Sequence, residues 1–258
     1  ALYDIMGKML QVPVYKLLGG GLYRDKIPLS WVVGMQDLDS SIEEAREKLA
    51  EGYRVLKVKV GISPDRDYNL LKRIREELGD GFPIRVDANQ GYDYKTALST
   101  FRKLEEFGLE SIEQPVRRWD IDGMRMLRER LNTPIMADES VSDYHAVMRV
   151  IRERACDIVN IKVGKVGGPS VAKKIAACLE AEGLTATAGS NLEVGIGSAA
   201  SIHFVASSPV LSVPHDLMLG GPLHQYDLIK NNLEIKNGYV SVPQTPGLGI
   251  EVDDSIFD

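Results

Sequence analysis

Eight short apolar runs, rich in β-branched residues, recur along this chain about 24 to 28 residues apart, ending near Val33, Lys59, Asp87, Glu113, Asp138, Lys162, Ala188 and His215. That interval accommodates one strand, one helix and two loops. Parallel strands covered by helices must be apolar on both faces, as these runs are, and eight such units make a closed ring. A length of 258 residues suits that architecture. An open doubly wound sheet would call for five or six strands and a glycine-rich first turn, and neither is present. The expected fold class is therefore α/β, a (β/α)8 TIM-type barrel.

Helix punctuation follows the same period. Asp39-Ser40-Ser41 before Ile42, Ser63-Pro64, Tyr92-Asp93 before Thr96 and Gly168-Pro169 mark starts, and Gly52, Gly79, Gly108 and Gly183 mark ends. Residues 1–18 read as an amphipathic helix broken at Val12-Pro13, then a second helical turn. Beyond Leu219 the period stops: Gly220-Gly221-Pro222 is followed by Leu233 to Val242, a hairpin around Asn237-Gly238. The expected organisation is a linker and helix at 1–21 from the end of an N-terminal capping domain missing from this chain, a barrel at 22–218, and a segment at 219–258 packing back towards that domain.

A net charge of -6 with no Lys/Arg block gives no footprint for nucleic acid. No run of about 18 apolar residues is present and the start lacks a charged-then-apolar pattern, so neither a membrane span nor a signal peptide is expected. The expected location is cytoplasmic and the expected partner a small-molecule carboxylate, with a homo-oligomer as the assembly. Cys156 and Cys178 have no CxxC spacing and no His at ligand distance along the chain, so they read as core thiols.

Strand C-terminal ends face the active site of a barrel. Three successive runs close on acids, Asp87, Glu113 and Asp138, and such convergence suits a hard divalent cation, Mg²⁺ or Mn²⁺ in its place. Alternation puts Lys57 and Lys59 on one face with Val58 on the other. Their repulsion would lower the pKa of one towards that of a useful base. Lys162 ends the run opposite, from which a second base can address the other side of a substrate.

The Lys-X-Lys at Lys57 to Lys59, Asp87-Ala88-Asn89, Glu113-Gln114-Pro115, Ala137-Asp138-Glu139-Ser140 and Asn160-Ile161-Lys162-Val163-Gly164-Lys165-Val166-Gly167-Gly168 resemble, in this order, the muconate lactonizing enzyme branch of the enolase superfamily. So does the opening from Gly7-Lys8 through Pro13-Val14-Tyr15-Lys16-Leu17-Leu18. The resemblance implies Mg²⁺ held by Asp87, Glu113 and Asp138, with Asn89 and Glu139 beside the ligands, Lys59 and Lys162 as acid and base, and Lys57 tuning Lys59. Sites of this superfamily use a Lys or His base with Mg²⁺ to stabilise an enolate formed by loss of a proton α to a carboxylate. Lys165 falls in the loop after the sixth run, which leaves Lys162 in the family position. In the mandelate racemase branch a His-Asp pair replaces that lysine; its presence places this chain on the lactonizing side.

Asn191 and Glu193, after the seventh run, and Asp216, after the eighth, are the expected substrate contacts. Dipeptide epimerases of this branch carry Asp-X-Asp at the eighth position, and this chain has Asp216 with Met218 in the second place. The expected activity is racemisation or epimerisation of an amino-acid-like substrate, with muconate-type cycloisomerisation or dehydration of a hydroxy-amino-acid or acid sugar as alternatives on the same site. A Schiff-base aldolase using Lys162 has no use for three converging acids, and an inactive or binding scaffold has none for the lysines.

Overall fold

A computed structural model describes residues 1–19, 21–219, 226–230 and 233–257 of the chain; the expected turn at Gly220 to Pro222 lies outside them. In chain order the elements begin with α1 (Leu2–Leu10), α2 (Val14–Leu17), β1 (Lys26–Pro28), β2 (Trp31–Val33), α3 (Leu38–Ala50), β3 (Leu56–Lys59), α4 (Pro64–Leu78), β4 (Ile84–Asp87) and α5 (Tyr94–Leu104). They continue through β5 (Leu109–Glu113), α6 (Ile121–Arg130), β6 (Ile135–Ala137), α7 (Tyr144–Arg152), β7 (Ile158–Ile161), α8 (Val163–Val166), α9 (Pro169–Ala181), β8 (Thr185–Ala188), α10 (Gly195–Ala206), β9 (Ile235–Lys236) and β10 (Tyr239–Ser241). The chain divides into two compact units, Ser30–Asn160 and Ala1–Leu29 with Ile161–Asp258.

In the Ser30–Asn160 unit, consecutive strands from β2 to β7 pair in parallel. Val58, Val86, Ile112, Met136 and Val159 are buried, as are Ile42 and Ala45 of α3, Leu70, Leu71 and Ile74 of α4, and Ala97, Phe101 and Leu104 of α5. Those helix positions recur every three or four residues, so one face of each helix is sealed against the unit's core, each large side chain contributing about 1.5–3 kcal/mol. Ser63 and Asp93 cap α4 and α5 by accepting from Arg66 and Thr96 amides, as their positions predict. The cap of α3 is Asp37, not the Asp39 signal: the Asp37 carboxylate reaches the Ser40 amide, and Asp39 lies within the first turn, where its charge meets the helix dipole.

In the other unit, β1, β10 and β9 form a three-stranded antiparallel sheet. The hairpin turns at Asn237 (φ 53°) and Gly238 (φ 75°), the left-handed pair that the Asn-Gly dipeptide favours. Strand β1 was not legible beforehand; three residues carry no period, and the hairpin pairs with them through Ile27 and Val240. The eighth expected strand is reduced to two parallel bridges, Leu29 with His215 and Gly189 with Asp216. Cys156 is buried and Cys178 only half-buried, and neither forms a disulfide.

His203 of α10 is buried with both ring nitrogens engaged: the Tyr15 amide donates to Nδ1 at 3.3 Å and Nε2 stands 3.1 Å from the Leu248 carbonyl. Only the neutral ring with its proton on Nε2 satisfies both partners. Burial lowers its pKa below the ordinary 6.5, against smaller upward pulls from Leu248 and Asp4. A depressed folded pKa means stability that is complete above pH 6.5 and is lost as the pH falls towards the folded value, by up to about 1.4 kcal/mol per unit. Thermal unfolding followed from pH 7.5 to 5.5 should show that loss in the wild type, and His203→Gln should flatten it.

Candidate active site

The strands of the Ser30–Asn160 unit bring one charged cluster together at their C-terminal ends. Lys59 lies opposite Asp87, and Asp87 opposite Glu113, in parallel register. Period-two alternation turns Lys57 to the same side as Lys59. The Lys57 ammonium bridges the strands, 3.1 Å from Asp87 Oδ2 and 2.7 Å from Glu113 Oε2, while Lys59 Nζ stands 2.7 Å from the same Asp87 oxygen. The two lysines are not equivalent: the Lys57 side chain is 4 % exposed and that of Lys59 24 %. A substrate can meet Lys59; Lys57 is sealed among carboxylates.

Burial pushes the Asp87 carboxyl up, but Lys57 and Lys59 outweigh it, so its pKa lies below the ordinary carboxylate range; Asp138 opposes them, which places that third acid within electrostatic reach. Asp138 follows β6 directly and is buried. Lys59 also donates to Asn89 Oδ1 at 2.6 Å, and Asn89 Nδ2 donates to Glu139 Oε1 at 3.2 Å. Asn89 adopts a left-handed backbone, φ 42°, and its own amide is held by Asp87 Oδ1.

Among the described residues no three His, Cys, Asp or Glu side chains stand together as a ready metal cage. The donor set nevertheless fits a hard cation. It consists of buried carboxylate oxygens already gathered around an ammonium, and two more buried oxygens, Glu139 Oε2 and Asn160 Oδ1, meet no hydrogen-bond donor among the described residues. Such orphaned acceptors suit a cation or its water.

Two clamps at this end escaped the sequence reading. Gln114, buried and at φ 36°, accepts the Asp138 and Ser140 amides on Oε1 and donates from Nε2 to the Val116 carbonyl and Ser140 Oγ. It ties the tip of β5 to the segment carrying Asp138. Asn160 donates to Glu113 Oε1 at 2.9 Å. Its place two residues before Lys162 was the available signal, since a strand repeats its face at that spacing; nothing local marks Gln114.

The remaining expected residues lie in the other unit. Lys162 has extended backbone at the start of α8. Glu193 accepts from Ser190 Oγ at 2.5 Å and from the Asn191 amide at 3.0 Å, and Asn191 is exposed. Asp216 is 3 % exposed. Its neighbour His215 folds the segment through Nδ1, which accepts the Ala188 amide at 3.1 Å.

Residues 40–256 match the enolase C-terminal domain-like family. The chain is 35 % identical over 254 residues to an L-Ala-D/L-Glu epimerase of Clostridium acetobutylicum, covering 97 % of this chain and 70 % of that protein. It is 36 % identical over 256 residues to a chloromuconate cycloisomerase, CbnB, of Cupriavidus necator, covering 98 % and 68 %. The crystal structure of a muconate cycloisomerase from Pseudomonas fluorescens matches with a TM-score of 0.95 and 36 % identity, covering all of this chain and 71 % of the other. With the parallel β/α succession and five motifs in order, these matches make one conclusion: the chain belongs to the enolase C-terminal domain-like family, and it is a (β/α)8-barrel isomerase of the enolase superfamily.

Proposed function

We propose that this enzyme removes the proton α to a carboxylate and returns one to the same carbon, as a racemase or epimerase of an amino-acid-like substrate. The observation that carries the reading is the placement of Lys59, a partly exposed ammonium 2.7 Å from Asp87 and 2.6 Å from Asn89 at the mouth of a buried carboxylate cluster. An α-proton is too weakly acidic for an unaided amine. Mg²⁺, held by Asp87, Glu113 and Asp138, would supply positive charge at the substrate carboxylate, where negative charge develops as the proton leaves.

The chain's own residues do the rest. Lys59 takes or gives the proton on one face of the planar enolate, and Lys162 is assigned the other. Lys57 holds Asp87 and Glu113 in register and helps keep Asp87 ionised. Asn89 orients the Lys59 ammonium and Glu139 orients Asn89. Asn191 and Glu193 are assigned to contacts with the substrate, and Asp216 to a substrate ammonium. Sequence similarity alone does not choose between epimerase and cycloisomerase, since both kinds of relative match at 35–36 % identity. Asp216 favours the amino-acid-like reading, because a muconate offers no cation to pair with it.

The test is α-proton exchange followed by NMR in D₂O, with Mg²⁺ and then with EDTA, over the L and D forms of N-succinyl-lysine, N-acetyl amino acids, Ala-Glu dipeptides and acid sugars. Exchange of one enantiomeric pair that stops on chelation is expected. No exchange in any compound, with Mg²⁺ shown by calorimetry to bind, would refute the substrate class; no Mg²⁺ binding would refute the ligand set.

A further inference from the structure

Asp67, in the first turn of α4, is a fully buried carboxylate that the proposed chemistry does not use. Its Oδ2 accepts two hydrogen bonds, from the Gly61 amide at 2.6 Å and from the Tyr92 hydroxyl, while Oδ1 faces Arg66 Nη1 at 3.6 Å. A buried acid costs stability unless paired, so one retained behind two loops needs a reason. Gly61 lies in the loop after β3, two residues from Lys59. Tyr92 lies in the loop after β4, three residues from Asn89.

These loops touch backbone to backbone. Gly61 has φ 92°, and a side chain there would come within 2.4 Å of the Ala88 carbonyl; one at Gly91 would come within 2.3 Å of the Gly61 carbonyl. No side chain can wedge between them, so their spacing is set by what pulls them together. Between the contacts lie Asn89 and Gln90, two consecutive non-glycine residues with left-handed backbone, φ 42° and 67°. Such residues persist where their surroundings over-determine them. Here the Gln90 amide is held by the Gln114 carbonyl, the Tyr92 amide by the Pro115 carbonyl, and the Tyr92 side chain by Asp67.

We propose that Asp67, through Gly61 and Tyr92, is a positioning residue that sets the distance between Lys59 and Asn89 and thereby aims the Lys59 amine at one face of the substrate. The inference rests on the two-lysine reading above for its kinetic consequence but not for its structural one. Misplacement of a reacting group by about 1 Å can cost on the order of a hundredfold in rate. Asp67 acts on the Lys59 side alone, so only one enantiomer should feel its loss.

The test compares Asp67→Asn and the milder Tyr92→Phe, which removes one hydroxyl and keeps the ring packed on Phe101. In full-length protein, exchange of the enantiomer that depends on Lys59 should fall about 10- to 100-fold at unchanged KM, with the opposite enantiomer within twofold of wild type. Equal slowing of both enantiomers, the signature of general destabilisation, would overturn the proposal. Two readouts need no substrate: faster hydrogen exchange at the Gly61 amide and a moved ¹³Cε–¹H signal of Lys59 in lysine-labelled protein. An unmoved Lys59 signal in both variants would overturn the proposal whatever the activity. A wild type that exchanges none of the compounds tested would refute the proposed substrate class and leave that signal to decide the positioning role.

Discussion

Lys59→Ala and Lys59→Arg are both expected to lose α-proton exchange from one enantiomer by about 10²- to 10⁴-fold, the range in which a positioned proton-transfer group contributes. The pair separates two explanations. Arginine keeps the positive charge beside Asp87 and Asn89, so any role as a mere counter-ion survives the substitution. It does not give up its proton at working pH, so a role as base does not. The side chain is 24 % exposed, which makes it the lysine of the pair that substrate can reach. Near-normal exchange in Lys59→Arg would sink the assignment of Lys59 as base. The affinity for Mg²⁺, measured by calorimetry, should change far less than the rate in either variant, because Asp87 keeps its Lys57 partner.

Lys57→Met should have its largest effect on stability without metal. The wild-type ammonium lies between Asp87 and Glu113 at 3.1 and 2.7 Å, with all three groups buried. Removing one member of a buried pair leaves uncompensated charge and typically costs about 3–5 kcal/mol. Urea unfolding in EDTA should show that loss. Mg²⁺ at about a hundred times the wild-type dissociation constant should return about 2.7 kcal/mol to the wild type and more to Lys57→Met, whose uncompensated carboxylates bind the cation more tightly; a variant damaged only in packing would gain no more than wild type. The pH dependence has a definite sign. Asp87 has a folded pKa below its ordinary 3.8, so its stabilisation is present above that value and is lost as pH falls through the folded one. Lys57→Met removes one of the two charges that hold it down, and the acid limb of the stability curve should move to higher pH. A limb that stays in place would show that Lys59 alone holds Asp87 ionised.

Much of the fold was legible because it is local. Parallel strands between helices are apolar on both faces, and the distance from one to the next is a full β/α unit, so the spacing of apolar runs announced the succession from β2 to β8 before any pairing was known. Strand parity also turned Lys57 and Lys59 to one side, and acids at run ends became acids at strand ends. Caps were legible where only one candidate stood before a helix, as at Ser63 and Asp93. Where Asp37 and Asp39 competed, the backbone direction at entry decided, and that is not a property of composition. The Asn237-Gly238 turn was plain from its dipeptide; its third strand, Lys26–Pro28, lies over 200 residues away and had no such mark.

What the sequence by itself determined is which chemical groups stand at the strand ends, because a strand's two-residue repeat is written in the chain. Which lysine is sealed and which is open depended on tertiary structure, since Glu113 closes over Lys57 from a strand 56 residues away. The same is true of the Gln114 clamp on the Asp138 segment and of the Asp67 hold on two loops. The Gln114 clamp and the Gly61 half of the Asp67 hold join a side chain to a backbone amide that any residue could supply, while the Lys57–Glu113 and Asp67–Tyr92 contacts join residues far apart in the chain, so residue identity carries no trace of the partner.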